Sequence, residues 1–385
     1  MPPLDGNVLI IGAGIGGLTL ARALVRRGIP CEIFEREAEL KPVGAGILVQ
    51  TGAMLALRTL GLDGPVARAG QEARVGFLTT DRGVTLQTTP MDFLREELGA
   101  PTVAIHRGSL QEVLLRGAEG VHLTRAAELT RYAADAGGVT AHFADGRSAR
   151  GALLVGADGL RSAVRRELLG DSPLRYAGYT SWRGISDAGA ALTPHEVREM
   201  WGPGSRFGFA GIGDGAAYWF AVVNAPAGGR DADSLAVVRE RFASWAAPVP
   251  ALLAATRPER VFRTDIHDRE PVRAWSKGRV TLLGDAAHPT TPNLGQGGCM
   301  AIEDAVVLAH ALEHANTLDD ALADYERKRL ERTSRIVRVS FRFGQIAQLE
   351  NPSLIWLRNA LLRFTPVAGV QRQLRAAANF SLDPA

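Results

Sequence analysis

The sequence predicts an α/β fold in which a Rossmann-type nucleotide-binding domain is interleaved with a substrate domain built on a mostly antiparallel β-sheet, plus C-terminal helices. Three observations lead to this prediction. A glycine-rich turn follows the first apolar strand, and two later apolar strands also end in Gly and Asp residues. Between these strands the chain changes to short strand-like segments broken by Gly and Pro. The length of 385 residues exceeds what one hydrophobic core normally supports, so we expect more than one domain.

The first elements form a candidate phosphate cradle. Four apolar residues, Val8–Ile11, predict a buried strand, and Leu18–Leu24 predict a helix. The turn between them has the G-x-G-x-x-G pattern, in which glycine permits a sharp turn, close approach of a pyrophosphate and close helix–strand packing. The helix N-terminus adds unpaired N–H groups and a partial positive charge. We assign these residues of the turn to cofactor binding: Gly12, Gly14, Ile15, Gly16 and Gly17.

A second predicted strand, Cys31–Glu35, ends in an acidic residue. Glu35 lies about twenty residues beyond the cradle, where a carboxylate meets a ribose hydroxyl in dinucleotide-binding folds. This context favours dinucleotide binding over an ordinary strand–turn–helix, and we include the adjacent Arg36 in the site. The glycines of Lys41–Ile47 are typical either of backbone beside a ligand or of a plain loop, and we assign Gly46 to the site.

The chain next leaves the strand–helix pattern and returns to it. Thr51–Leu60 predicts a helix, and two strands, Val75–Thr80 and Val84–Thr89, predict a hairpin of a second sheet. Another helix follows this hairpin. Its predicted start is a capping box formed by Ser109 and Glu112.

Two polar residues stand just before this capping box. Arg107 should face whatever the helix end faces, and we expect His106 to have a structural role. Further along, the apolar strand Leu153–Gly156 leads into Asp158 and Gly159. Open α/β sheets bind ligands at the carboxyl ends of their strands, so we assign both residues to the site.

Residues 173–269 have a different character. Strand patterns cover Tyr176–Ile185, Arg206–Ile212, Ala217–Asn224 and Val261–Ile266, with one helix predicted over Ser234–Trp245. This pattern indicates a mostly antiparallel sheet that could form the floor of a pocket. We expect the tryptophans of this region to be core residues rather than ligand-stacking ones: Trp182, Trp201, Trp219 and Trp245.

A third apolar strand ends in Gly284 and Asp285, and a glycine-rich loop leads into a helix predicted from about Cys299 to Leu312. The helix end would stabilise an anion by about 0.3–2 kcal/mol, which fits the negative charge of a reduced flavin ring. From Leu318 onward we expect long helices. Their arginine-rich face, Arg327–Arg342, should be solvated rather than bound to a membrane, and Leu354–Phe364 should be packed or interfacial.

Composition narrows the classes of function. The net charge of +3 comes without a dense Lys/Arg block, so we expect no nucleic-acid partner. Cys31 and Cys299 suit neither a disulfide framework nor a metal site, so we expect no metal and a cytoplasmic location. No charged leader precedes the first strand, and no apolar run reaches the roughly twenty residues that span a bilayer. We therefore expect no signal peptide and no integral membrane contact.

Together and in this order, the cradle with Glu35, Asp158-Gly159 and Gly284-Asp285 resemble the motifs of single-component flavin-dependent aromatic hydroxylases, the p-hydroxybenzoate hydroxylase-like family. The resemblance extends from Val8 to about Arg335. It implies retained FAD, transient binding of NADH or NADPH, O2 and a small-molecule substrate. We expect a monomer or a homodimer.

The resemblance also implies roles for individual residues. Glu35 would bind the adenosine ribose, Arg107 would lie along the pyrophosphate and ribityl side, and Asp285 would hold the ribityl chain. Asp158 with Gly159 would serve both FAD and the nicotinamide. The residues that would line the flavin ring are Pro292, Gly295, Gln296, Gly297 and Gly298.

Within this family, Tyr176–Gly184 and Thr290–Gly298 resemble the branch that contains FAD-dependent urate hydroxylase and zeaxanthin epoxidase. This likeness implies that Arg206 and Tyr218 lie in the substrate pocket, Arg206 holding an anionic oxygen and Tyr218 orienting the substrate. Asn293 joins them but departs from the pattern, because the urate enzymes carry Asp there. With Asn in place of Asp at this position, the site lacks a candidate base and a charge partner for Arg206.

The predicted function is an FAD-dependent monooxygenase that hydroxylates a small aromatic or heteroaromatic substrate through a flavin C4a-hydroperoxide. One alternative is an epoxidase or hydroxylase of a larger polycyclic, polyketide or isoprenoid substrate, and another is a flavin-binding regulatory protein. We predict FAD-binding parts at 1–74, 100–172 and 270–317 and substrate-domain parts at 75–99 and 173–269. The C-terminal helices occupy 318–385.

Overall fold

The computed structural model describes residues 6–40 and 45–382. Its strands, in chain order, are β1 (Val8–Ile11), β2 (Cys31–Phe34), β3 (Gly46–Val49), β4 (Gly70–Ala73), β5 (Val75–Thr80), β6 (Thr85–Pro90), β7 (Thr102–His106), β8 (His122–Thr124), β9 (Leu129–Asp135), β10 (Gly138–Phe143), β11 (Ser148–Gly151), β12 (Leu153–Gly156), β13 (Arg175–Ser186), β14 (Glu196–Gly202), β15 (Ser205–Gly211), β16 (Ala217–Asn224), β17 (Phe262–Asp268), β18 (Ser276–Lys277) and β19 (Val280–Leu282).

The helices are α1 (Ile15–Val25), α2 (Thr51–Arg58), α3 (Asp63–Arg68), α4 (Asp92–Leu98), α5 (Arg107–Gly117), α6 (Ala163–Leu169), α7 (Ser234–Arg241), α8 (Val249–Ala254), α9 (Gly297–His314), α10 (Leu318–Ala347), α11 (Pro352–Arg363) and α12 (Val367–Ala378).

A six-stranded sheet in the order β18-β19-β12-β1-β2-β8 forms the nucleotide-binding part of the molecule. All of its neighbours pair in parallel except β18 and β19. The strands β1 and β12 are buried along their whole length, which is why both consist of unbroken apolar residues. Helices α1 and α9 pack together beside this sheet, and their first turns lie near the carboxyl ends of β1 and β19. The predicted Rossmann-type sheet is confirmed.

A seven-stranded sheet in the order β17-β13-β16-β15-β14-β5-β6 forms the second layer. Its neighbours are antiparallel, apart from the parallel pair β14 and β5. Side chains alternate between its two faces. One face carries Phe207, Trp182 and Trp219, which pack with residues of α7 and α8 into a separate core. The prediction that the four tryptophans of this region are buried core residues is confirmed.

Two further sheets have three strands each, and the one that contains β3, β4 and β7 was not predicted. They have the orders β3-β7-β4 and β11-β10-β9. The strand β14 was also missed, because Glu196–Gly202 contains three charged residues and its apolar residues do not alternate. Its pairing with β5 joins residues more than a hundred positions apart. Sequence periodicity cannot reveal that pairing.

Several predicted boundaries are wrong. The capping box of Ser109 and Glu112 does not form, because α5 already begins at Arg107 and His106 caps it by accepting a hydrogen bond from the Gly108 N–H at Nδ1 (3.1 Å). The helix predicted to reach Trp245 ends at Arg241. The hairpin and the start of α10 at Leu318 agree with prediction.

The arginine-rich face of α10 is only partly solvated. Arg329 is buried and forms ion pairs with Glu303 (2.9 Å) and Asp304 (2.7 Å) of α9. Arg332 also pairs with Glu303 (3.1 Å). The prediction of a fully solvated face is therefore wrong at these positions, since part of it fastens α10 to α9. Among the described residues, no helix is long and apolar enough to cross a membrane.

Candidate active site

One cavity of about 600 Å³ contains most of the predicted site residues and lies between the two large sheets. Its walls come from the turn after β1, the start of α5, the loop after β19, the start of α9 and the inner face of the seven-stranded sheet. The predicted residues that line it are Gly14, Ile15, Gly16, Gly46, Arg107, Gly159, Arg206, Tyr218, Asp285, Pro292, Asn293, Gly295, Gly297 and Gly298.

The glycine turn after β1 has the geometry that its sequence pattern requires. Gly12 has φ +108°, and a Cβ there would come within 2.5 Å of the Ala157 carbonyl oxygen. A Cβ on Gly17 would come within 2.0 Å of the Gly12 carbonyl oxygen. Gly14 differs, because nothing lies within 4 Å of a Cβ built there and the residue faces the cavity. Gly12 and Gly17 thus allow close packing of the backbone, and Gly14 leaves space for a ligand.

Glu35 lies beside this turn and outside the cavity wall. Its carboxylate accepts hydrogen bonds from the backbone N–H groups of Ala13 (2.8 Å) and Glu37 (2.9 Å). A carboxylate has room for about four hydrogen bonds, so acceptor positions remain for a ribose hydroxyl. Glu35 therefore holds the cradle and can still contact a nucleotide.

Arg36, Asp158 and Gly159 line a neighbouring cleft of about 810 Å³, and Gly159 borders both spaces. The carboxylate of Asp158 accepts hydrogen bonds from the Ser162 hydroxyl (2.5 Å) and from the Ala163 N–H (2.7 Å). It therefore caps α6. Burial raises the pKa of Asp158, and the hydrogen bonds oppose that shift.

Arg107 and Asp285 both face the cavity, one from α5 and the other from the loop after β19. Desolvation by the cavity walls lowers the pKa of Arg107, and the charge of Asp285 opposes this. Desolvation likewise raises the pKa of Asp285, against the charges of His288 and Arg107. A cation and an acid in one poorly hydrated space are suited to a ligand that has both an anionic group and hydroxyl groups.

The loop that carries Asp285 is held by a buried charge cluster behind it. Asp304 accepts hydrogen bonds from the Gly284 N–H (3.1 Å) and from Arg329 (2.7 Å), and it bonds to His288 (2.6 Å). Burial alone would raise the pKa of Asp304, but the charges and hydrogen bonds of His288 and Arg329 outweigh it and lower the pKa to about 2. The cluster fixes the loop with respect to α9 and α10.

The loop before α9 wraps around the cavity and brings the helix N-terminus to it. Gly295 adopts the left-handed conformation (φ +62°) that reverses the chain before the helix. Gln296 does not line the cavity; it is buried and bonded through its amide to Gln50. Gly297 and Gly298 begin α9, and their N–H groups have no partner within the helix. Two helix N-termini, those of α1 and α9, therefore face the same cavity.

Arg206 lies at the other end of the cavity and is 2% exposed. Its guanidinium donates to Gln348 (2.9 Å), Glu199 (3.1 Å) and Asn293 (2.8 Å). The Asn293 amide in turn donates to the Tyr179 hydroxyl (2.8 Å). The hydrogen-bond donors of Arg206 are therefore largely satisfied by other protein groups. Its contact with Asn293 joins the seven-stranded sheet to the loop before α9.

Tyr218 faces the cavity from β16, and β3 packs directly against it. A Cβ on Gly46 would come within 2.4 Å of the Tyr218 ring, so the ring can occupy this position only because residue 46 has no side chain. Burial raises the pKa of the Tyr218 hydroxyl. Tyr218 therefore stays protonated and can donate a hydrogen bond. Lys41–Gly44, the other part of the glycine segment, lie outside the described residues.

Arg183 also lines the cavity, and sequence reasoning missed it. It stands on β13, next to the predicted core residue Trp182, and alternation directs the two side chains to opposite faces of the sheet. Its Nε is buried and has no hydrogen-bond partner. The motif containing Arg183 was noticed in the sequence, and applying strand alternation to it would have identified this cation.

A possible metal-binding group lies elsewhere. His310, Glu313 and His314 place one ligand atom each within 4.8 Å on the last turns of α9. Glu313 is already paired with Arg27 (2.8 Å). None of these residues lines the cavity.

The cavity fits the FAD that the motifs imply. The space beside Gly14, the two helix N-termini and the Arg107 guanidinium suit a pyrophosphate and an anionic ring. The carboxylates of Asp285 and Glu35 have the chemistry that suits sugar hydroxyls at two separate places. The residues present thus match the chemistry of both ends of the cofactor.

Comparison with known proteins gives close relatives. A family model described as an FAD binding domain matches residues 5–340. Aurachin C monooxygenase/isomerase of Stigmatella aurantiaca is 48% identical over 376 residues, which cover 97% of this chain and 98% of that protein. FAD-dependent urate hydroxylase of Klebsiella pneumoniae is 40% identical over 338 residues, covering 86% of this chain and 88% of the relative.

A solved structure has nearly the same fold. Klebsiella pneumoniae HpxO complexed with FAD and uric acid superimposes with a TM-score of 0.90 at 34% identity. The superposition covers 97% of this chain and 96% of HpxO. Similarity in sequence and in structure therefore extends over almost the whole length.

Proposed function

The chain belongs to the FAD binding domain family and is an FAD-dependent monooxygenase, and from this premise we propose that it uses NADH or NADPH and O2 to hydroxylate a small aromatic or heteroaromatic substrate. The observation that carries the proposal is the single cavity that joins a phosphate cradle at one end to Arg183, Arg206 and Tyr218 at the other. A cofactor and an anionic or phenolic substrate can meet there.

At the cofactor end, we assign a role to each residue from its position. The N–H groups at the start of α1 would bind the pyrophosphate, and Arg107 would balance its charge. Asp285 would accept hydrogen bonds from the ribityl hydroxyls, and Glu35 from the adenosine ribose. The N–H groups of Gly297 and Gly298 would stabilise negative charge on the flavin ring.

When bound, FAD supplies the redox chemistry, taking a hydride from the nicotinamide and activating O2 for transfer of one oxygen atom. The protein's own contribution is to orient the substrate and exclude water. Arg183 would bind an anionic oxygen of the substrate, because its Nε has no partner within the protein. Tyr218 would donate a hydrogen bond to a substrate oxygen, and Arg206 with Asn293 would shape the pocket.

We expect urate to be a poor substrate. The structure of HpxO contains uric acid. The resemblance to the urate hydroxylases implies that those enzymes carry Asp at the position of Asn293, so this chain lacks that carboxylate. Here the Asn293 amide donates to Tyr179 and accepts from Arg206, so it has no basic group to offer a substrate. A monocyclic or bicyclic substrate that is already electron-rich fits better, because it needs no strong base.

The test is anaerobic reduction of the purified flavoprotein by NADH and by NADPH, with a panel of aromatic acids, phenols and purines. We expect bound yellow flavin, bleaching by one nicotinamide, and faster bleaching with one class of panel compound. A protein without flavin that also fails to take up FAD would overturn the proposal. Reduction that no compound accelerates would favour the flavin-binding regulatory protein instead.

The alternative is that the same flavin chemistry hydroxylates or epoxidises a larger polycyclic or isoprenoid substrate. The volume of about 600 Å³ has to hold both the cofactor's ring end and the substrate, which favours the smaller class. Proton NMR of the product after aerobic turnover separates hydroxylation from epoxidation, because both add one oxygen atom but only epoxidation consumes a carbon–carbon double bond.

A further inference from the structure

An unusual concentration of exposed apolar side chains lies on α11 and the turn after it. Eleven large apolar side chains are exposed in the described part of the chain, and six of them fall between residues 354 and 367. We name these six the α11 face: Leu354, Trp356, Leu357, Leu361, Phe364 and Val367. Trp356 is 72% exposed and Phe364 is 84% exposed, values at which a large aromatic ring lies almost wholly in water.

The α11 face is organised rather than scattered. Leu354, Leu357, Leu361 and Phe364 follow one another at intervals of three or four residues, so they form one stripe along the helix. Arg358 borders this stripe on the side of the helix that packs on the protein, where its guanidinium donates to the Ala347 carbonyl (3.1 Å) and stands over the Trp201 ring (4.9 Å). Four large apolar side chains of this stripe are therefore exposed, whereas Arg358 is buried and Ile355 and Leu362 are half-buried.

The chain segment that carries the α11 face is positively charged, and the exposed Glu350 lies just before it. Residues 351–382 contain four arginines and no acidic residue. Arg358 is buried and Arg375 pairs with Glu97, which leaves Arg363 and Arg372 as exposed cations. Aromatic and aliphatic side chains beside arginines are the composition of helices that lie in the headgroup region of a membrane.

The same charge opposes the obvious alternative, a second copy of this chain. In a twofold dimer both copies of the face would bring Arg363 and Arg372 into one interface, and residues 351–382 supply no acidic residue to pair with them. An anionic lipid surface has no such conflict. With 12 residues, α11 is about 18 Å long, which suits a helix lying in the plane of the membrane.

We propose that the α11 face docks this protein on the surface of an anionic lipid bilayer. Trp356, Leu361 and Phe364 enter the headgroup–acyl boundary, and Arg363 and Arg372 contact lipid phosphates. The inner side of the same helix approaches the substrate end of the cavity: Arg358 covers Trp201, and Trp201 is paired across the sheet with Arg206. Docking would therefore bring that end of the molecule close to the lipid surface.

Cosedimentation with extruded vesicles tests the proposal on the full-length flavoprotein. Vesicles of phosphatidylcholine and phosphatidylglycerol in equal parts should carry the protein into the pellet, and pure phosphatidylcholine should carry less. Raising the salt to about 0.5 M should weaken the binding, because salt screens the arginine–phosphate attraction. Tryptophan emission should shift to shorter wavelength on binding, and the Trp356→Phe variant should lose this shift.

A double variant, Leu361→Ser with Phe364→Ser, should reduce vesicle partitioning at least about tenfold, because both side chains are exposed and removing them takes away apolar area without disturbing the core. The matched control is Val84→Ser with Leu169→Ser, which changes two exposed apolar residues elsewhere and should bind like wild type. Failure to bind phosphatidylglycerol vesicles, or equal binding by the double variant, overturns the proposal. A dimer in solution that the double variant dissolves would assign the face to a second copy instead.

Discussion

Two arginines line the substrate end of the cavity, and their hydrogen bonds indicate different roles. Arg206 has donors committed to Gln348, Glu199 and Asn293, whereas the Nε of Arg183 has no partner. A buried donor without a partner is costly unless a ligand satisfies it. We therefore expect Arg183 to contact the substrate directly and Arg206 to hold the pocket's walls together.

The Arg183→Ala variant should lower kcat/KM about 10- to 100-fold for an anionic substrate, which corresponds to one charge-assisted hydrogen bond of about 1.5–3 kcal/mol. Its thermal stability should change little. Arg206→Ala should instead lower the melting temperature as well as raise KM, because it leaves Glu199, Gln348 and Asn293 without a partner. Steady-state kinetics with peroxide detection, and thermal unfolding, measure both. Unchanged KM in Arg183→Ala would remove Arg183 from the substrate's contacts.

At this scale the sequence could predict some roles and not others. The cradle glycines were predictable, because a positive φ or a close backbone approach leaves a local pattern. Resemblance to a family pointed to Arg206. The resemblance also linked Arg206 to position 293, but its partners Glu199 and Gln348 could not be predicted, since they come from β14 and from the residue after α10.

Among the elements, the start of α1 offers a clean test of where the cofactor lies. Gly14 precedes the helix with φ −78° and ψ −172°, which alanine also adopts, and no protein atom lies within 4 Å of a Cβ there. The Gly14→Ala variant should therefore fold with a stability within about 1 kcal/mol of wild type. It should retain much less FAD, because the methyl group would occupy the place of the pyrophosphate.

The ratio of flavin to protein absorbance after purification, and titration of the stripped protein with FAD, measure the effect. Gly369→Ala is the matched control, since it also has free space around a Cβ but lies on α12. Equal FAD retention by Gly14→Ala and wild type would show that the pyrophosphate lies elsewhere.

The α9–α10 junction should depend on the Asp304 charge. Asp304→Asn removes a buried carboxylate from Arg329 and His288, and we expect a loss of about 3 kcal/mol in the free energy of unfolding. The exposed helix residue Asp319 is the control, and Asp319→Asn should cost less than about 1 kcal/mol. Chemical denaturation followed by fluorescence measures both.

The contribution of Asp304 should also depend on pH in one direction. Its pKa in the folded protein is about 2, below the ordinary 3.8, so the folded state favours the charged form. The stabilisation is complete above about pH 4 and is lost as the pH falls towards 2. The stability difference between wild type and Asp304→Asn should therefore shrink across this range. A difference that stays constant down to pH 2 would contradict the assignment of the charge.

Elements were predictable where their signals are local. The central strands β1 and β12 of the Rossmann-type sheet are unbroken apolar runs, and the hairpin of β5 and β6 has a recognisable turn. The start of α5 was misplaced, because a histidine side chain caps the helix where serine was expected. Burial of Arg329 was also missed, since an arginine-rich helix face shows nothing of the acids on α9 that pair with it.

For the whole molecule, the predicted α/β class and the resemblance to flavin-dependent hydroxylases are confirmed, whereas the division into domains remains a prediction. Sequence order alone could not show how the cavity forms. Its walls join β1, α5, β13, β16 and α9, which are distant in the chain and meet only through long-range sheet pairing. The sequence motifs indicated some of these walls one by one, and the structure shows that the walls enclose one cavity.

Because the cavity lies between the two large sheets, we expect FAD to stabilise the whole molecule rather than one part. At a free FAD concentration of about 100 times its dissociation constant, binding should add about 2.7 kcal/mol to the stability of the stripped protein. FMN lacks the adenosine end, so it cannot use Glu35 and should stabilise less. Thermal unfolding with FAD, FMN or neither, followed both by tryptophan fluorescence and by circular dichroism, measures this. The two signals should move together to higher temperature with FAD, because the tryptophans lie mainly around the seven-stranded sheet and the cradle lies at the other. A shift in circular dichroism without a matching shift in fluorescence would show that the cofactor holds only the nucleotide-binding layer.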